Sequence, residues 1–312
     1  KKAVTKNFPG SGNLSDFQII IPSIIGGNTV ARYRLMINSP AFIYLATILP
    51  PILLGIFIWK SDKFPEPGKF LVTAFLLGVA IDLPLHFLII LAEDHLAPLL
   101  GLNLEELKLW TDGKQEDNAI FPYGAYAFQN FFRAAFLEEG LKFALLIFIC
   151  VKLEALDEPI DAIVYGAAIG LGYAAMENLG YLHAPDAWSL ETVKGRYYPL
   201  VMHLGFGVVM GWLLSQNLFD EPSKFKRRFM LILALAIPVI FHGVYNYYGT
   251  ADTFPILTIF LVIGIIFWAR REQMKKITEA EDKYTIPNSD VAYTYLITLA
   301  LVIIIFISAK IY

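Results

Sequence analysis

Apolar blocks of about 18–25 residues alternate with polar connections along this chain, the pattern of a polytopic membrane protein. Eight blocks are predicted as spans. Span one runs from about Ala41 to Trp59, with Pro50-Pro51 as a predicted kink. Spans two to seven cover about Phe70–Ala92, Tyr126–Val151, Ile160–Leu182, Tyr197–Ser215, Phe229–Tyr247 and Phe254–Trp268. Span eight covers about Val291–Ala309. Between spans two and three lies a long polar connection, 93–123, in which Leu102 to Trp110 has the pattern of a short interfacial helix. The expected fold is therefore all-α, a transmembrane helical bundle. Residues 41–268 form a core of seven spans. Residues 1–40 form a polar N-terminal extension, and 269–312 a charged linker with a terminal helix. Met36 stands just before the first block and reads as a native start, which would make 1–35 an addition.

Small residues mark the packing faces. Ala162, Gly166, Gly170 and Ala174 recur at spacing four on span four, and Gly207 and Gly211 do so on span five. That spacing lets helix backbones approach closely in lipid, so spans four and five are expected at the centre.

Charge then sets an orientation. The loops after spans one, three, five and seven hold thirteen Lys and Arg, against four in the alternate loops. The first set is expected on the cytoplasmic side and both termini outside. The basic tail Lys1, Lys2, Lys6, Arg32 and Arg34 argues the other way.

Composition agrees with the pattern and excludes several classes. The 312 residues are 56% hydrophobic and 17% charged, where a soluble domain is about a quarter charged. Cys150 is the single cysteine, so no internal disulfide can form. No HExxH, GxxxxGK[ST], GxSxG or EF-hand loop is present. No basic aromatic stripe suggests nucleic acid.

Span three breaks the apolar pattern. The stretch FFRAAFLEEGLKFALLIF, 131–148, carries Arg133, Glu138, Glu139 and Lys142. A charge at bilayer depth costs about 2.5–3.5 kcal/mol on insertion scales, so these groups are expected to face the protein interior with partners. Span four adds Tyr173, Glu177 and Asn178, span five His203, and span six His242 and Asn246 on one helical face. Measured from the outer helix ends, Glu177, His203 and His242 lie roughly 8–9 Å deep and Glu138 roughly 18 Å along its span. These groups are expected to share one wet pocket in the outer half to the middle of the bilayer.

Each member alone has a plain structural reading. Lys142 can neutralise Glu138 four residues away, and Arg133 can pair likewise. Asp82 and His86, four apart on span two, read as a second, structural pair. The set carries the signal. Adjacent carboxylates in low dielectric hold one proton between them, which supplies a base and an acid. A Glu can take a proton from water attacking a carbonyl. His and Asn can donate to the oxyanion that forms. No Ser or Cys stands beside the set, so direct attack by water fits better than an acyl-enzyme. No cofactor is expected. A divalent metal stays open, since Glu and neutral His ligate zinc or iron, though no ligand-spaced pair such as His-x3-His occurs.

The ordered motifs FPEP, EEGLK on span three, DAIVYGAAIGLGYAAMEN on span four, MHLGFGVVMG on span five and HGVYN on span six resemble the PrsW family of intramembrane proteases. That family is related to the CAAX-prenyl endopeptidases and Abi-type proteins. The resemblance covers roughly Ala41 to Trp268. It implies a glutamate-dependent protease of the prokaryotic plasma membrane that cuts a single-pass, membrane-tethered substrate of the anti-sigma-factor type. Glu138 and Glu139 match the paired glutamates, the first as water activator. His242 and Asn246 match a His-x-x-x-Asn motif assigned to the oxyanion, and His203 matches a family position. Glu177 departs from the CAAX branch, where a His follows the aromatic residue; here the motif reads Tyr173-x-x-x-Glu177. Lys142 stands near an Arg of that branch. Two other classes use the same residues. A proton- or ion-coupled transporter would show inverted repeats, which are absent here. A non-catalytic membrane scaffold would bind without turnover.

Overall fold

The computed structural model describes residues 39–114, 121–152, 156, 158–184, 187–219, 223–248, 258–261, 263–269 and 271. Every regular element among them is helical. Helix α1 is Pro40–Ser61, opened by Ser39, whose side chain accepts from the Phe42 N–H, with Pro40 at the first helical position. Helix α2 is Gly68–Leu99, with a π-helical turn at Ala92–Leu96. Helix α3 is Leu104–Thr111, capped by Asn103 and placed where the sequence predicts the interfacial segment. Helix α4 spans residues 123–152 as α-helical Tyr123–Ala127, π-helical Phe128–Phe136 and α-helical Leu137–Lys152. Helix α5, Pro159–Leu182, starts on a capping box between Glu158 and Asp161. Helix α6 is Leu190–Gly195, α7 is Tyr197–Phe219, α8 is Lys224–Tyr248 and α9 is Thr258–Ala269.

Among the described residues, five helical runs are long and apolar enough to cross a membrane: Pro40–Ser61, Gly68–Leu99, Pro159–Leu182, Leu190–Leu218 and Arg228–Tyr247. Predicted span three is present as α4, whose apolar run is broken by Arg133, Glu138, Glu139 and Lys142, and it is not among these five. Predicted span seven is the short helix α9. Span eight lies outside the described residues. The expected eight-span bundle is therefore described here as an all-helical protein with five candidate spans.

The small-residue stripes place α5 and α7 at the centre. The most apolar stretch of α5 is 94% buried inside the protein and that of the α6–α7 run 83%, against 22% for α2. A Cβ built on Gly166 would sit 2.1 Å from the Gly207 carbonyl oxygen, and one on Gly207 2.0 Å from that of Gly166. Gly170 meets the His203 carbonyl oxygen at 2.3 Å in the same way. The backbones are thus in contact where side chains would hold them apart. On the other side of α5, Gly172 meets Phe75 and Gly78 of α2 meets Ile169. Around these crossings Ile163, Leu171, Leu200, Val208 and Leu213 fill the core.

Gly207→Val is expected to destabilise the bundle by about 1–3 kcal/mol, the usual result of overpacking, read as a lower unfolding midpoint in detergent. Gly180→Ala, on the same α5 but with nothing within 4 Å of an added Cβ, should leave that midpoint unchanged.

Two expectations about pairing are corrected. Arg133 does not pair with the span-three glutamates; it forms its ion pair with Glu93 of α2. It stands five residues before Glu138, inside the π-helical segment, and Glu93 in the π turn of α2 comes within ion-pair reach of it. Asp82 and His86 do not form a pair. Among the described residues no ion pair or hydrogen bond reaches either side chain, because both stand on the outward side of α2.

Candidate active site

Glu138 and Glu139 open the last α-helical segment of α4, directly after the π-helical stretch. Adjacent residues on a helix point about 100° apart, so the two carboxylates face different surroundings. Glu138 lines a cavity of about 310 Å³. Glu139 lies behind the wall with no exposure at all. Lys142 follows one turn later, within reach of both. Its Nζ donates to Glu139 Oε1 at 2.8 Å and lies 3.9 Å from Glu138 Oε2. The ammonium also sits 3.9 Å from the centroid of the Tyr173 ring. Lys142 therefore pairs with Glu138 as the helical spacing predicts, and more closely with Glu139.

Helices α7 and α8 bring the imidazoles. His203 enters because Gly170 lets the α7 backbone lie directly on α5. Its Nδ1 is 2.9 Å from Lys142 Nζ and its Nε2 3.0 Å from Glu177 Oε2. An ammonium only donates and a carboxylate only accepts, so Nδ1 accepts and Nε2–H donates. His242 enters because Gly243 leaves room for the Phe131 ring, which a Cβ there would meet at 2.2 Å. Its Nδ1 donates to Glu139 Oε1 at 2.8 Å, and its Nε2 lies 3.9 Å from Glu138 Oε2 on the cavity side. The two imidazole rings stand edge to face, centroids 5.3 Å apart.

One end of the cluster is closed by Arg196, at the junction of α6 and α7. Its Nε donates to Asn178 Oδ1 at 2.9 Å, its Nη2 pairs with Glu177 Oε2, and the guanidinium lies 4.0 Å from the Tyr181 ring centroid. A continuous relay thus runs from Arg196 through Glu177, His203 and Lys142 to Glu139 and His242. Asn246, one turn after His242, is half-buried on the cavity wall. Tyr173 and Asn178 support from behind and do not line the cavity.

Sequence reasoning named most of this cluster and missed part of it. Arg196 counted as an outer-loop charge, because nothing in a loop position signals that its side chain turns inward. Gln129, Asn130 and Tyr245 also line the cavity, as does Arg133. Their signal was available: polar side chains on spans three and six close to residues already singled out.

Glu138, Glu139, His203 and His242 each offer a ligating atom, all within 4.8 Å of one another. Among the described residues, Oε2 of Glu138 and Oε2 of Glu139 are buried without a hydrogen-bond partner. Two carboxylates and two imidazoles fit a zinc-like divalent ion in type and spacing. Lys142 already donates to Glu139 and His203, so an ion and the ammonium compete for those two ligands.

Residues 66–270 match the family described as PrsW family intramembrane metalloprotease. Protease PrsW of Oceanobacillus iheyensis is 28% identical over 222 residues, covering 70% of this chain and 88% of that protein. Protease PrsW of Halalkalibacterium halodurans is 31% identical over 206 residues, 64% and 80% of the two chains. Protease PrsW of Bacillus subtilis is 27% identical over 235 residues, 74% and 93%. No solved structure matches the fold. With two thirds of its length matched, and with the two imidazoles and paired glutamates gathered among apolar helices, the chain belongs to the PrsW family of intramembrane proteases.

Proposed function

We propose that this integral membrane peptidase is an endopeptidase in which Glu138 activates the attacking water. One observation carries the reading: Glu138, with an unpartnered Oε2, stands 3.9 Å from His242 Nε2 on the wall of one cavity of about 310 Å³, inside an apolar bundle. Glu138 takes a proton from water as the hydroxyl attacks the scissile carbonyl carbon. Asn246 donates to the resulting oxyanion, and His242 in its imidazolium form presents Nε2–H to it. As the C–N bond breaks, Glu138 returns the proton to the leaving amine. Glu139 contacts no substrate in this reading. It orients His242 through Nδ1, as the buried carboxylate does in other acid–base assemblies. Glu177 and Arg196 fix His203, and Lys142 ties both arms to α4.

A divalent ion, if bound, would be held by Glu138, Glu139, His203 and His242 and would polarise the carbonyl and the water. The working arrangement proposed here leaves Lys142 in that place.

The substrate is proposed to be a single-pass membrane protein of the anti-sigma-factor type. The loops after predicted spans one, three, five and seven are proposed to be cytoplasmic. The cavity then lies toward the extracytoplasmic end of the bundle, where a substrate helix can unwind into it. Liposomes holding the purified protein and single-pass peptides test this, with products read by mass spectrometry. Cuts are expected in the outer half of the substrate span or its outer flank, with or without EDTA. Cuts at the cytoplasmic end would overturn the orientation. Activity lost to EDTA and restored by zinc would move the water-activating role to a metal.

A further inference from the structure

The outward face of α2 carries two ionisable side chains that the described residues leave unanswered. Asp82 is half-buried and His86 exposed, and among the described residues neither has an ionic or hydrogen-bonding partner. Leu83, Phe87 and Ile90 stand exposed beside them. Asp82 stands 12 residues after Phe70 and 10 before Ala92, the ends of predicted span two, so it lies roughly 18 and 15 Å from them, near the middle of a hydrocarbon layer about 30 Å thick. Its short side chain cannot reach either interface. A carboxylate facing lipid at that depth is costly, and such residues face protein or water in membrane bundles.

The cavity does not account for the pair, since α2 lends no side chain to its wall. A substrate helix lying on this face would therefore not be delivered to Glu138 by it. Charge complementarity points elsewhere. The face holds one acid and one base a single turn apart, so it is complementary to itself. Two copies in one membrane share an orientation, and a two-fold axis along the membrane normal sets their α2 helices parallel. Asp82 of each copy then lies one turn, about 6 Å, from the level of His86 of the other, a span the two side chains can bridge. An isologous contact satisfies both pairs at once, and Leu83, Phe87 and Ile90 pack around them.

We propose that this protease associates as a homodimer through α2, with Asp82 of each copy paired to His86 of the other. The proposal is independent of the catalytic reading.

The test uses the full chain in liposomes. The native Cys150 is buried, so Leu83→Cys supplies an accessible thiol on the face. Mild oxidation is expected to give a dimer band in non-reducing gels. Adding Asp82→His should lower the dimer yield by roughly 3–30-fold, the range of one interhelical polar contact. The swap Asp82→His with His86→Asp should restore it, and protease activity in every variant reports that the fold is kept. Photobleaching steps of labelled wild-type protein at high lipid dilution give a second measure, with two steps expected. Monomeric photobleaching, equal cross-linking in all variants, a swap that fails to restore, or a cross-link to added substrate peptide would each overturn the proposal.

Discussion

Glu138→Gln is expected to lower kcat for peptide cleavage by on the order of 10²–10⁴-fold, the usual contribution of a positioned general base. The bundle should stay folded, because the substitution keeps the shape of the side chain and Glu138 Oε2 makes no hydrogen bond among the described residues. A single-turnover assay on a reconstituted single-pass peptide reads the loss, and an unchanged thermal midpoint shows that the fold survives. KM should move little, since the carboxylate acts on water more than on the bound peptide. A stable Glu138→Gln protein that cleaves within a few-fold of the parent would remove Glu138 from the chemistry.

The second large effect falls on stability. Lys142 is only 1% exposed, yet it donates to Glu139 and His203 and faces the Tyr173 ring. Lys142→Met keeps most of the stem volume and removes the charge. Glu139, fully buried, would keep only the imidazoles of His242 at 2.8 Å and His203 at 3.7 Å, and His203 would lose the donor at its Nδ1. Breaking a buried pair on one side costs about 3–5 kcal/mol. The variant should therefore unfold at clearly lower denaturant and lose activity. Lys142→Met combined with Glu139→Gln should recover part of the stability, by about 0.5–3 kcal/mol of coupling, but not the activity, because His242 would still lack its orienting carboxylate. If the single and double variants are equally unstable, the Lys142–Glu139 pair is not what holds α4 to α7 and α8.

These two residues also show where sequence reasoning works and where it stops. Helical spacing puts Lys142 within one turn of both glutamates, and that is what the chain does. Spacing alone cannot say which carboxylate turns to the cavity. That depends on how α7 and α8 pack against α4, and the packing puts Glu139 behind the wall and Glu138 on the cavity. Arg133 shows a second limit. The π-helical stretch Phe128–Phe136 has no clear signature in the residues, and Arg133 within it turns to Glu93, 40 positions earlier in the chain. Arg196 shows a third: its loop position hides a side chain that closes the cluster.

The sequence by itself determined the helical class, the place of five of its eight expected spans, the central place of α5 and α7, and the motifs of the family. These follow from local rules: apolar length for crossing lipid, small residues every fourth position for close backbone approach, and ionisable groups too costly to leave facing hydrocarbon. Only the tertiary structure decided which of the paired glutamates faces the cavity, that Arg196 and Glu177 close one end of the cluster, and that Asp82 and His86 have no partner among the described residues. Those outcomes depend on contacts between residues tens to more than a hundred positions apart, and no periodicity within one helix encodes the angle at which another helix meets it.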